Sequence, residues 1–201
     1  MKTTAAVRYT IPHLQRPGRV VPFRLSLVLN KEFIMILGMT IATLTLVHVL
    51  LSLAGIASGF IVVYGLLTGK RLDGWTALFL VTTVLTSATG YLFPVEHLLP
   101  SHVVGAISLI VLAVAIVARY AFHLAHAWRW IYVVCAVLAL YLNSFVAVVQ
   151  SFLKVPALKA LAPTQKEPPF LVAQLALMAL FILIGVFAVK KFRDDRAATV
   201  R

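Results

Sequence analysis

The chain has 201 residues, of which 62% are hydrophobic and only 12% are charged. Soluble domains are about 25% charged and 45–50% apolar, so a soluble fold of this size could not bury so much apolar surface. The net charge of +12 does not indicate a nucleic-acid partner, because the Lys and Arg residues flank long uncharged runs, as membrane topology and anionic headgroups select. These features predict an integral membrane protein in contact with the lipid bilayer.

The first 32 residues form a polar, basic tail that contains Pro12, Pro17 and Pro22. A cleavable signal peptide needs a short apolar core soon after a basic start, and this arrangement is missing. The first apolar run, Phe33 to Gly69, is also too long for a signal sequence and is expected to remain as a membrane anchor. The lone cysteine, Cys135, lies in an apolar run, where a small core residue is its expected role.

The run from Phe33 to Gly69 is too long for one perpendicular crossing. As a helix it would extend about 55 Å, against a hydrocarbon core of about 30 Å. We predict that its start, about Phe33 to Ile41, is a tilted extension or an interfacial helix, and that the crossing covers about 43–67. Two short crossings in this run are a weaker alternative, because no Pro, Asn or charged residue marks a turn.

Further uncharged apolar runs of about 18 residues or more predict spanning helices. The predicted fold is all-α, a polytopic membrane helix bundle over residues 33–192, between the basic tail of residues 1–32 and a charged C-terminal tail of residues 193–201. The predicted crossings cover about 43–67, 74–93, 101–119, 130–152 and 170–189.

Five crossings place the two termini on opposite sides of the membrane. We call the N-terminal side face A and the opposite side face B. Nine basic residues fall on each side, so the count does not decide the orientation. At face B, His123 and His126 follow Arg119 on one helix end, beside Trp128, Arg129 and Trp130, which predicts a basic, aromatic interfacial belt. Tyr132 is among the aromatic residues near helix ends that are predicted to be interfacial.

Polar residues on the predicted helices indicate which faces point into the bundle. On the first helix, His48, Ser52 and Gly55 follow steps of four and three, so they share a face and His48 should point away from lipid. On the second helix, a stripe of small, weakly polar residues ends at His97, provided that the helix persists past Pro94.

The third and fourth helices add further polar groups to this picture. Ser101 is a candidate N-cap directly before His102, and Asn143 shares a face of the fourth helix with Gln150 as supporting polar residues. Because successive crossings alternate in direction, one set of residues is expected to converge at face A. The set comprises His48, Glu96, His97, His102, Gln150 and Lys154.

Neutral imidazole binds heme iron and transition metals, and polar groups inside a bundle indicate function. His48 with His102 or His97 could supply two axial ligands to one heme b, for electron transfer to or from quinone. Alternatively, these three histidines and Glu96 could hold a transition metal, or Glu96 could orient a histidine.

A second hypothesis needs no cofactor. The chain could be a non-catalytic membrane subunit or assembly factor whose histidines are merely interfacial, like others near headgroups. In that case the Gly55 and Gly59 face of the first helix and the threonine-rich face of the second pack together or against another membrane protein.

Three segments carry a resemblance to known proteins: Thr86 to Pro94, Ser101 to Gly105 and Leu161 to Gln165. They are similar to a group of small proteobacterial membrane proteins without an assigned activity, and the resemblance implies a bacterial inner-membrane setting. The helix count and buried histidines also resemble cytochrome b561-type proteins, which clamp hemes near both faces with pairs of histidines. A matched set is missing at face B, so this resemblance implies at most one heme.

Overall fold

The computed structural model describes residues 35–36, 39–93 and 100–192. Within this part of the chain the fold is a helix bundle, as the sequence predicts. Its elements in chain order are β1 (Met35–Ile36), β2 (Met39–Thr40), α1 (Ile41–Leu67), α2 (Asp73–Thr89), α3 (Pro100–Ile116), α4 (Trp128–Lys154), α5 (Pro156–Leu161) and α6 (Pro168–Lys191). A 3₁₀ turn, Gly90–Leu92, extends α2, and a π-helical turn, Val117–Ala121, extends α3.

Five of the described helices are long and apolar enough to cross a membrane, which confirms the predicted count. Their bounds fall within two residues of the predicted ones at every end, because hydropathy sets where a spanning helix enters and leaves lipid. The spans are Ile41–Leu67, Asp73–Leu92, Ser101–Ala121, Trp128–Lys154 and Pro168–Lys191.

The segment before the first crossing is not helical where it is described. Met35–Ile36 pair antiparallel with Met39–Thr40, and α1 begins at Ile41. The side chain of Thr40 caps the helix by accepting a hydrogen bond from the Thr43 amide at 3.2 Å. The prediction of helix in this segment is therefore wrong at these four residues. The alternative of two short crossings was wrong too, because α1 is one helix of 27 residues.

The second spanning helix ends before the proline that follows it. After the 3₁₀ turn, Phe93 has an extended backbone with φ −71° and ψ 131°. Proline disfavours the α conformation in the residue before it, which explains this end at Pro94. The second helix therefore does not persist past Pro94, as it would have to for its polar stripe to reach His97. His97 itself lies outside the described residues.

The next helix also begins differently from the prediction. α3 starts at Pro100, so Ser101 lies inside the helix and is not its N-cap. Proline suits the first turn of a helix, where the missing amide hydrogen would have no partner anyway. The long connection after the fourth crossing holds the short helix α5, whose residues lie at the surface apart from the half-buried Leu158.

The core lies where α1, α2 and α4 meet. Gly59 allows this close approach, because a Cβ atom there would lie 2.6 Å from a methyl carbon of Leu140 and 2.9 Å from the ring of Phe79. Helix α4 is the most enclosed crossing, since 44% of its most apolar 18-residue stretch is buried. Helix α6 is peripheral, since only 6% of the corresponding stretch is buried.

The outer surface of the bundle is apolar on every spanning helix. Large exposed side chains such as Leu50, Val81, Ile110 and Ile182 point away from the core, each more than half exposed. Soluble monomers rarely expose contiguous apolar patches of this extent, whereas a bilayer covers them at no cost. The fold is therefore that of a multi-pass integral membrane protein.

Candidate functional site

His48 points into the bundle, as the spacing with Ser52 and Gly55 predicts. Its ring is half-buried between α1 and the end of α2. Its Nδ1 lies 2.9 Å from the hydroxyl oxygen of Thr89, and its ring packs edge-on against Phe93 with centroids 5.4 Å apart. Gly90 leaves room beside the ring, since a Cβ there would lie 3.7 Å from His48 Cε1.

The hydrogen bonds of Thr89 assign the tautomer of His48. The Thr89 hydroxyl donates to the carbonyl oxygen of Leu85 at 2.8 Å, with a second carbonyl, that of Thr86, at 3.1 Å. A hydroxyl has one hydrogen, so the Thr89 oxygen accepts from Nδ1–H of His48. In the neutral imidazole this leaves the lone pair on Nε2, the nitrogen that is not held by Thr89.

His102 meets the same end of α2 from the opposite neighbour, α3. Its ring packs against Tyr91 with centroids 5.4 Å apart, and the Tyr91 hydroxyl donates to the His102 backbone carbonyl at 2.6 Å. Gly105 lets the tyrosine lie close to α3, because a Cβ there would lie 3.3 Å from its ring. Tyr91 therefore fixes the start of α3 against the end of α2.

The structure thus brings two of the predicted site residues to one short segment, residues 89–93. His48 contacts Thr89 and Phe93, and His102 contacts Tyr91. The other two candidate ligands, Glu96 and His97, lie outside the described residues. Within the described residues, no three His, Cys, Asp or Glu side chains are grouped to hold a metal ion.

The supporting polar residues of α4 behave differently from one another. Asn143 is buried and accepts a hydrogen bond from the Ser52 hydroxyl at 2.8 Å, which joins α4 to α1. Gln150 and Lys154 are exposed and do not join the buried polar residues. Thr45, seven residues before Ser52, is exposed as well, so the contact between these helices does not continue to the level of Gln150.

Small polar residues fill the bundle below His48. A Cβ atom on Gly55 would lie 3.0 Å from the Thr83 hydroxyl oxygen and 3.1 Å from Asn143 Nδ2. The Gly55 and Gly59 face therefore packs inside the chain against α2 and α4, where small residues let backbones approach. A hydroxyl pair, Ser87 to Ser108 at 3.0 Å, joins α2 to α3 in the same way.

At face B the structure corrects the prediction of an interfacial belt. Arg119 is only 8% exposed and forms an ion pair with Asp73 at the start of α2. Its guanidinium lies 5.2 Å from the ring centroid of Tyr132, which is wholly buried. His123, His126 and Trp130 lie at the surface as predicted. The periodicity of the third helix could not predict that Arg119 is buried, because its partners Asp73 and Tyr132 belong to other helices.

The fold and these contacts define a multi-pass integral membrane protein with two histidines gathered at one end of its second helix. No protein-family model, curated protein or solved structure matches the chain.

Proposed function

We propose that this chain is a bacterial inner-membrane protein that binds a heme b or a transition metal at face A, for electron transfer with quinone. His48 is the first ligand, through Nε2. Either His102 or the sequence-predicted His97 is the second, and Glu96 completes the set in the metal alternative. The observation that carries this proposal is the hydrogen bond from His48 Nδ1 to Thr89.

This hydrogen bond supports the proposal because metal-binding histidines nearly always donate their other ring nitrogen to an oxygen acceptor. The donation fixes the tautomer and the ring orientation and makes the free nitrogen more basic. Thr89 is held in turn by the Leu85 carbonyl, so the acceptor is itself in place. A histidine that lay only among headgroups would need no such partner inside the bundle.

Phe93 and Gly90 are the other neighbours of the His48 ring. Phe93 shields one edge of the ring and Gly90 leaves space beside Cε1. A heme iron or transition metal would supply one-electron chemistry here. The residues of this chain would hold it, orient the imidazole through Thr89 and keep water away with the aromatic side chains.

Visible absorption and elemental analysis of detergent-purified protein test the proposal. We expect a Soret band or near-stoichiometric metal, and its loss in His48→Ala. The matched control is His126→Ala, an exposed histidine at face B, which should retain the cofactor. A colourless, metal-free protein that also fails to take up added hemin, Cu²⁺, Zn²⁺ or Fe²⁺ contradicts the proposal.

The Thr89 hydroxyl offers a sharper test. Thr89→Val keeps the shape of the side chain but removes the acceptor, so we expect cofactor affinity to fall about 10- to 100-fold. Thr89→Ser retains the oxygen and should restore most of the affinity. If both variants bind the cofactor as the wild type does, Thr89 does not orient a ligand. The proposal that His48 is a ligand then loses its main support.

The peripheral position of α6 favours one second candidate, a non-catalytic membrane subunit or assembly factor. Only 6% of its most apolar stretch is fully buried within the chain, so much of this helix faces lipid or another protein. The Gly55 and Gly59 face is used internally, which leaves α6 as the free packing surface. A cofactor-free protein that elutes as a defined complex from native membranes would favour this candidate.

A further inference from the structure

Four exposed cationic residues lie at face B on two segments that are distant in sequence. Lys70 and Arg71 lie in the connection between α1 and α2, and Lys190 and Lys191 end α6. The two segments are adjacent, because a Cβ atom on Gly69 would lie 3.8 Å from the Lys191 carbonyl oxygen. All four side chains are exposed.

The backbone fixes the position of this four-cation patch. Gly69 has φ +71°, and the Lys70 amide donates to the Gly65 carbonyl at 2.8 Å, while the Gly69 amide donates to Leu66 at 3.4 Å. This is the glycine C-cap that reverses the chain after a helix. Phe192 is only 2% exposed and anchors the end of α6 directly after the two lysines. The cations therefore sit on ordered backbone.

Among the described residues, no acidic side chain is paired with the four cations. Asp73 is the one acidic residue among the described residues of face B, and it is paired with Arg119. The sequence that follows Phe192 holds three arginines and two aspartates, so it adds no net negative side-chain charge. Neighbouring positive charges repel one another, so binding an anion there is favourable.

We propose that Lys70, Arg71, Lys190 and Lys191 bind the phosphate of an anionic phospholipid headgroup. The patch lies where two spanning helices end, which is the depth of the headgroups. On the same two helices, one to two turns deeper, Tyr64 and Phe187 are 62% and 54% exposed and offer apolar surface to an acyl chain. An anionic head above an apolar tail matches this arrangement, whereas free phosphate matches only the cations.

The test uses detergent-purified full-length protein titrated with phosphatidylglycerol or phosphatidylcholine, with bound lipid counted by native mass spectrometry. We expect wild type to retain phosphatidylglycerol preferentially. Replacing all four cations with glutamine should weaken retention at least tenfold, since each cation contributes on the order of fivefold. The matched control is Lys154→Gln/Lys159→Gln/Lys166→Gln at face A, which removes three exposed cations and should not change retention.

Two further measurements, at high salt and with inorganic phosphate, test the same proposal on the wild-type protein. If the fourfold variant does not fold, wild type in 500 mM salt should release the lipid, because screening weakens exposed charge pairs. At low salt, inorganic phosphate at the concentration of the lipid should not displace it. Equal retention of both lipids, equal loss in the face A control, or full displacement by phosphate would each overturn the proposal.

Discussion

Arg119 shows how the environment of a single residue decides what its charge does. It is buried against Tyr132, while the Asp73 side chain that neutralises it is 82% exposed. Removing one partner of a buried pair leaves an uncompensated charge and costs 3–5 kcal/mol, and the exposure of Asp73 lowers this figure. We expect Asp73→Asn to destabilise the protein by roughly 1–3 kcal/mol.

A double-mutant cycle separates this effect from a simple loss of packing. Arg119→Met in the Asp73→Asn background removes the buried charge and should recover part of the stability, measured by thermal unfolding in detergent. If the two substitutions add independently, the ion pair does not couple α2 to α3.

Glu167 provides a pH-dependent contact outside the membrane span. Desolvation opposes ionisation most strongly, yet hydrogen bonds from the Thr164 hydroxyl and from backbone amides outweigh it and lower the pKa of this carboxyl. The stability that these bonds contribute is present above the ordinary pKa of about 4.5 and is lost as pH falls through the lowered value. We expect Thr164→Val to raise the pKa of Glu167, measured by ¹³C NMR of the carboxyl. An unchanged value would contradict the role of the 2.8 Å hydroxyl bond.

The inward direction of His48 could be predicted from the sequence, but the partners of other polar residues could not. Steps of three and four from Ser52 and Gly55 define a helix face without knowledge of its neighbours. Gln150 lies on the same side of α4 as Asn143, yet only Asn143 is covered by α1. Which residue is covered depends on how far two helices stay in contact, and hydropathy does not report this.

Gly59 in α1 and Gly74 in α2 distinguish two effects of replacing glycine with alanine, which are overpacking and reduced backbone flexibility. A methyl group on Gly59 would meet both Phe79 and Leu140 within 3.0 Å, whereas nothing lies within 4 Å of a Cβ on Gly74. We therefore expect Gly59→Ala to destabilise the bundle by about 1–3 kcal/mol through overpacking. Gly74→Ala lies in the first turn of α2 and should be neutral or stabilising by up to about 1 kcal/mol. Thermal unfolding in one detergent compares them, and equal effects would contradict this packing.

At the level of the elements, long uncharged runs fixed the number of crossings, and local chemistry fixed their ends. Thr40 caps the start of α1, and the helix that begins with α2 ends just before Pro94. Hydropathy alone does not predict either of these helix ends. The apolar run from Phe33 to Gly69 predicted too much helix, because hydropathy does not distinguish an apolar strand from an apolar helix.

For the whole molecule, the distance of each basic residue from a crossing changes the charge count that decides orientation. Basic residues act on topology only within about 15–20 residues of a crossing. Arg19 and the three basic residues before it lie 22 or more residues ahead of Ile41, so they leave the count. Face A then keeps five basic residues, namely Arg24, Lys31, Lys154, Lys159 and Lys166. Face B keeps nine: Lys70, Arg71, Arg119, Arg129, Lys190, Lys191, Arg193, Arg196 and Arg201.

The nine-to-five asymmetry predicts that face B lies in the cytoplasm. In a Cys135→Ala background, a single cysteine at Ala160 reports face A and one at His126 reports face B, since both positions are exposed. A membrane-impermeant maleimide should label Ala160→Cys in intact bacterial spheroplasts, and His126→Cys only after lysis. Labelling of His126→Cys in intact spheroplasts would reverse the assignment. The four-cation patch would then face the outer leaflet, away from the leaflet whose charge it complements.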